Sequence, residues 1–416
     1  MKIKSFSFYY HLIIALISYI QIAFPKLIGF PVVTFFILII VGLLNGNLKF
    51  QFSKITFILS LFYFTYFIGF FFTSNLDIAQ HCLESKASFF LFPLFFSFRL
   101  KSIFNLKWVF YSLIIGILHV SLVGVINSVG CDIIRYGCFG CITSSNISPI
   151  HHPSYYSSFI LFTLVFIWHG FVYSWNSFKL HWIIIISIYL MVFYFLCLSL
   201  ASFLFLFLFL LFMILKYLKW TIYRVFLLIC FILLTILFFS FNKEFNKAKT
   251  SFLNYSNNPI EYVISKKGDL NGNEIRLILW TVSFERILKQ PLGVGTGNVD
   301  DAMNQQLVKY GRKDLLKLNL NPHNQFLQTA LEVGLFGLFI LILFITLVII
   351  QAIKTNNFIL LTLMFIFVFN SLFESMLQRQ SGIVFYSFWI CLLLTYDNVN
   401  NIRRLHKFKQ LAVHVK

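Results

Sequence analysis

Twelve mostly apolar stretches, at 7–24, 27–45, 54–73, 87–98, 108–129, 154–174, 181–198, 199–215, 222–241, 329–352, 358–375 and 383–396, fill more than half of the 416 residues. A helix crosses a bilayer in about 20 such residues. Hydrophobic residues make up 59% of the chain and charged ones 11%, against about 45–50% and about 25% in soluble domains. Lipid must solvate this much apolar surface. The expected fold class is therefore an all-α polytopic membrane protein with about 12 transmembrane helices, since only helices and closed barrels satisfy their backbones in lipid. The fourth stretch is short and holds Pro93, so it is expected to be tilted or re-entrant. The seventh and eighth are expected to part near Leu198-Ser199-Leu200-Ala201-Ser202. No small-residue cleavage site follows the first stretch, which is read as a span rather than a leader.

Charge orients the array. With the N-terminus in the cytoplasm, the short inner segments carry 17 Lys and Arg, and the short outer ones carry only Lys26, Lys86, Arg135 and Arg379. That bias is the usual signature of the cytoplasmic side. Both termini then lie inside. The net charge of +19 is spread over short loops, without a basic run interleaved with aromatics, so a nucleic-acid partner is not expected.

Residues 242–328 differ from everything around them, being polar with 12 Lys and Arg and 8 Asp and Glu. A connection this long is usually functional. The expected organisation is helices 1–9 in 1–241, a large extracytoplasmic (periplasmic) loop at 242–328, helices 10–12 in 329–396 and a basic cytoplasmic tail at 397–416. Within the loop, Ile275-Leu277-Ile278-Trp280-Val282-Phe284-Ile287-Leu288 suits an amphipathic helix ending near Gln290-Pro291. Cys82, Cys131, Cys138 and Cys141 fall on the outer side, where a disulfide or free thiols are both open. One Cys-x-x-Cys pair is a weak indication of metal.

The densest local signal runs from Arg276 to Gly337. Gly293, Gly295 and Gly297 permit tight turns that either present N–H groups to an anion or merely close the preceding helix. His323, after Asn321-Pro322 and before Asn324, can take a proton from a hydroxyl or can sit at a helix start. Arg276 can grip a phosphate bidentately or belong to a solvated face. Glu332 lies inside an apolar run, where an ionisable side chain is costly and suggests function. Gly334 and Gly337 would let a neighbouring helix come close. Upstream, His151-His152-Pro153-Ser154-Tyr155-Tyr156 reads as a helix start with interfacial tyrosines, or as an acceptor contact beside the large loop.

In order, these residues form Arg-x3-Trp, Pro-Leu-Gly-x-Gly-x-Gly-Asn, His-Asn-x-x-Leu-Gln and Glu-x-Gly-x-x-Gly, with His152-Pro153-x-Tyr155 upstream. The set resembles the O-antigen ligase and O-antigen polymerase superfamily of bacterial membrane proteins. The resemblance implies a metal-independent, cofactor-free inverting glycosyltransferase of the inner membrane. Its donor is a glycan on undecaprenyl pyrophosphate, and its acceptor is lipid A-core or another glycan. It gives His323 the role of activating the acceptor hydroxyl and Arg276 that of binding the pyrophosphate. Trp280, Gly293, Gly295, Gly297, Asn324, Glu332, His152 and Tyr155 then fall among the substrate contacts. Many members carry a Ser-Arg pair at the outer end of a middle helix. Here Leu198-Ser199-Leu200-Ala201-Ser202 has no arginine, so Lys266, Lys267 or Arg379 must replace it or the donor is held differently. The same motifs serve a ligase, which attaches a polymer to an acceptor, and a polymerase, which extends glycan on its carrier. A transporter is disfavoured, because the spans are nearly free of charge away from their ends and no internal repeat is evident.

Overall fold

The computed structural model describes residues 3–102, 104–130, 143–172, 178–197, 199–217, 222–318 and 320–395. The chain is a mainly helical membrane protein, with one small antiparallel strand pair, Leu48–Phe50 with Phe98–Leu100. Its apolar helices are α1 (Ile3–Ala23), α2 (Gly29–Leu44), α3 (Lys54–Phe70), α5 (Ser88–Ser97), α6 (Lys107–Asn127), α7 (Pro153–Val172), α8 (Leu180–Leu196), α9 (Leu200–Tyr217) and α10 (Ile222–Phe241) in the first part. In the last part they are α15 (Gln325–Lys354), α16 (Phe358–Ser371) and α17 (Gln380–Thr395). Every one of the twelve apolar stretches thus contains a helix. Among the described residues, five helices are long and apolar enough to cross a membrane, or six if α10 and the helix after it, which meet at 78°, count as one broken span.

Two boundaries differ from those expected. The fourth stretch is a ten-residue helix, α5, preceded directly by the polar α4 (Leu76–Lys86). Ten residues rise only about 15 Å, so α5 cannot span by itself. The eleventh apolar stretch runs through residue 375, but α16 stops at Ser371, and Glu374 falls in the turn before α17. Hydrophobicity alone misplaces that end, because Phe373 and Met376 flank the acid.

Residues 242–328 fold into α11 (Lys243–Asn257), α12 (Pro259–Ser265), α13 (Gly272–Lys289), α14 (Val299–Lys309) and a 3-10 turn at Lys313–Leu318. Asn271 and Glu274 close a reciprocal capping box at the start of α13. The face of α13 bearing Leu277, Ile278 and Val282 packs with Val263, Met303 and Leu307 into a second small core. The fully buried guanidinium of Arg312 ties this unit together, donating to the Val263 carbonyl at 3.2 Å and to Asp314 at 3.0 and 2.7 Å.

Ala330 and Leu331, at the start of α15, belong to that same core. The helix then breaks at Val333 and Gly334, the latter at φ 77°. The glycine-rich segment fills the break. Val294 and Gly295 donate to the freed carbonyls of Leu331 and Glu332 at 2.8 and 3.1 Å, and the Leu335 N–H donates to Pro291 at 2.9 Å. A Cβ on Gly334 would lie 2.5 Å from the Leu292 backbone. Beyond the break, about 20 residues of α15 remain, roughly the 30 Å of a hydrocarbon core. They pack against α3 and α16, and Gly337 faces Thr65 of α3.

Candidate active site

α13, the N-terminus of α15, the N-terminus of α7 and the turn between α16 and α17 converge on one carboxylate, Glu374. It is 6% exposed. Its Oε1 lies 3.1 Å from Nδ1 of His323, and its Oε2 lies 3.9 Å from Nδ1 of His152. The second distance is an electrostatic approach, too long for a hydrogen bond.

The backbone at His323 is unusual. Pro322 precedes it, its N–H donates to Oδ1 of Asn321 at 2.8 Å, and its φ is 45°. A left-handed conformation at a non-glycine residue costs free energy and persists only where the surroundings enforce it. The result aims the imidazole at Glu374. With Nδ1–H donating to the carboxylate, Nε2 is the unprotonated nitrogen and can accept a proton.

Arg276 extends from α13 into the same region and is half-buried. Its Nη1 reaches only Asn273, at 3.5 Å, and its buried Nε has no hydrogen-bond partner among the described residues. Glu374 acts on it electrostatically. Trp280, one turn further along α13, places its ring 6.5 Å from that of Phe373, and its buried Nε1–H is likewise unpartnered. Nδ1 of His152 and Oε2 of Glu374 are unpartnered too. Four unsatisfied polar atoms gathered in one place are polar capacity left for a ligand or water.

Burial and charge set the protonation states. Burial opposes ionisation of Glu374. The hydrogen bond from His323 and the positive fields of His323, His152 and Arg276 outweigh it, holding the carboxyl below its ordinary value. His152 is held below the ordinary histidine value, first by burial and then by the repulsion of Arg379, His323 and Arg276, against the attraction of Glu374. Burial also lowers Arg276, though its starting value keeps it a cation.

Other residues singled out in the sequence have structural tasks. The N–H groups of Gly293, Val294, Gly295, Thr296 and Asn298 all donate to chain carbonyls, so the glycine segment serves as a backbone joint. Gly295 and Gly297 press on the backbones of Phe72 and Ala79, where a Cβ would come within 2.9 and 2.8 Å. Asn324 caps α15 through the Phe326 and Leu327 amides and donates to the Leu372 carbonyl at 3.0 Å. Tyr155 is buried and donates to the Ser375 carbonyl at 2.7 Å. Glu332 is 2% exposed and surrounded by Cys82, Gln328 and Gln378. Tyr155 and Glu332 are thus closed off from solvent, while Asn324 is only half-buried. Cys82 is a free thiol, while Cys131, Cys138 and Cys141 lie outside the described residues.

Of the cations considered as substitutes for the missing arginine, Lys266 pairs with Glu274 at 3.1 Å. Arg379 is exposed and acts on His152 and Tyr155 at the site. The serines where the arginine would stand bond to one another and to α7, with Ser202 2.6 Å from Ser157 and 3.0 Å from Ser199. Glu374 itself was missed in the sequence. The available signal was a lone carboxylate between two apolar helices.

No curated protein matches the chain. Residues 185–342 match the family model described as O-Antigen ligase. That span includes Arg276, Trp280, His323 and the break in α15, while His152, Glu374 and Arg379 lie outside it. The resemblance read from the motif set holds: in residues 185–342 this chain carries the domain of the O-antigen ligase and polymerase superfamily.

Proposed function

We propose that this protein is an inverting membrane glycosyltransferase that moves glycan from undecaprenyl pyrophosphate to a hydroxyl of lipid A-core or another surface glycan. His323 is the general base. Its Nε2 takes the acceptor proton as the acceptor oxygen attacks the anomeric carbon. Glu374 holds the ring by Nδ1 and stabilises the imidazolium that forms. The bond between the anomeric carbon and the pyrophosphate oxygen breaks, and the pyrophosphate leaves with the electron pair. Arg276 and Arg379 meet the charge that builds there. With α4 and α5 together making the fourth crossing, which agrees with the pairing of Leu48–Phe50 with Phe98–Leu100, the chain would cross the bacterial inner membrane twelve times with both termini in the cytoplasm, putting 242–328 and this site on the outer side. No nucleotide sugar is needed on that face.

The observation that carries this reading is the contact of His323 with Glu374 at 3.1 Å, beside an arginine whose Nε has no partner. A purified preparation of the full chain, given lipid-pyrophosphate-linked glycan and acceptor in the presence of a chelator, tests it. Transfer by the wild type and none by His323→Ala is expected. Near-normal transfer by that variant removes His323 from the chemistry. The motifs fit a polymerase equally well, and gene deletion separates the two. Loss of a ligase leaves full-length polymer on the carrier. Loss of a polymerase leaves single repeat units on the acceptor.

A further inference from the structure

Beside the site lies a cluster built around two buried charges. Nζ of Lys86, on α4, is 1% exposed and lies 4.0 Å from Oε1 of Glu332 on α15. It donates to Sγ of Cys82 at 3.0 Å and to Oε1 of Gln378 at 3.4 Å, and it sits 4.5 Å over the ring of Tyr66. Glu332 accepts from Gln328 at 3.2 Å and from Nε2 of Gln378 at 2.9 Å. Both ends of the Gln378 amide are therefore held, one by the cation and one by the carboxylate.

Gln378 is in the turn between α16 and α17, four residues after Glu374 and one before Arg379. The rest of that turn is also fixed by side chains from neighbouring elements. Gln325 accepts from the Leu377 N–H at 2.6 Å, Ser375 donates to Asn321 at 3.2 Å, and Asn324 reaches Leu372. Burying a charge pair costs desolvation free energy and rarely adds net stability. Its retention here needs another reason.

We infer that Lys86 and Glu332 are positioning residues, a buried charge pair that grips Gln378 and so keeps Glu374 in register with His323. The inference rests on the proposed roles of Glu374 and His323, and it reassigns Glu332 from substrate contact to support of the site. A displacement of about 1 Å at a catalytic group can cost on the order of 100-fold in rate, so a small loosening of this turn is enough to matter.

Gln378→Ala tests the inference without stranding a new charge of its own. Hydrogen exchange on the full chain in detergent gives a readout independent of any substrate. The Ser375 and Leu377 amides should exchange about tenfold faster or more as the turn opens locally. In transfer assays, kcat should fall roughly 10- to 100-fold while KM for the lipid-linked donor stays close to wild type. Glu332→Gln and Lys86→Met each strand one buried charge and should be worse than Lys86→Met/Glu332→Gln, in which neither is left alone. Unchanged exchange in Gln378→Ala overturns the inference, as does a raised KM with unaltered kcat in Glu332→Gln, which would make Glu332 a substrate contact. An inactive wild type overturns the proposed function instead, and the exchange result still decides whether the pair fixes the turn.

Discussion

Nδ1 of His323 and Oε1 of Glu374 lie 3.1 Å apart although 51 residues separate them in the chain. The pairing fixes which imidazole nitrogen is free. Replacing Glu374 by Gln removes the charge that stabilises the imidazolium and permits the opposite tautomer. Transfer should fall by about 100-fold or more, the scale of a general-base contribution, with little change in KM for either substrate. Steady-state kinetics on the purified variant checks this, and full activity would exclude Glu374 from the mechanism.

Arg276 should not tolerate lysine. A guanidinium offers two parallel donors to a phosphate, and an ammonium is a point charge on a flexible stem. Losing one charge-assisted hydrogen bond costs about 1.5–3 kcal/mol, so kcat/KM for Arg276→Lys should drop roughly 10- to 100-fold. If lysine is equivalent, only charge matters there.

Gly334→Ala should destabilise the fold irrespective of chemistry. The residue sits at φ 77°, and its new methyl would meet the Leu292 backbone at 2.5 Å. A cost on the order of 1–3 kcal/mol for the backbone alone should lower the thermal midpoint and the yield of monodisperse protein. Gly29→Ala is the control, since a Cβ there meets nothing within 4 Å. Equal midpoints for the two variants would contradict the packing described.

Acid should unfold the protein partly through His151. That ring lies 2.7 Å from the Ile22 carbonyl and 3.0 Å from Ser381. Burial pushes its pKa down to about 4, against a smaller opposing effect from the Ile22 hydrogen bond. The unfolded chain, with an ordinary value of about 6.5, therefore binds the proton more readily than the folded one. Stability is intact above that value and declines as pH falls from about 6.5 toward 4. Thermal midpoints measured across this window should fall less steeply for His151→Gln than for the wild type. Parallel slopes would rule His151 out as a source of the acid sensitivity.

The helices were legible because lipid-facing segments are continuously apolar, and the helix ending at Lys289 was legible from its periodicity and from Pro291. Arg276, Trp280, His152 and His323 could be named because their residue types stood out in a polar context. Glu374 could not, because an acid between Phe373 and Met376 looks like the frayed end of a span. Only the tertiary fold brings it beneath His323. The glycine segment stayed ambiguous for a related reason. Turn residues announce an unusual backbone, but whether their amides face a ligand or a broken helix depends on Leu331 and Glu332, more than thirty residues later. Asn324, Tyr155 and Glu332 have the side chains of ligand contacts, and each is held in part by a tertiary hydrogen bond, to Leu372, Ser375 and Gln378 respectively.

Because Pro291–Gly295 supply the hydrogen bonds that α15 lacks at Val333 and Gly334, the polar helices of 242–318 and the membrane helix are spliced through a shared joint. A chimera that exchanges this polar unit for that of a relative should cut beyond Leu335, so that the segment and its socket travel together. Cutting at the start of α15 would leave a foreign plug in a native gap, and the graft would fail at its seam even with every catalytic side chain transferred.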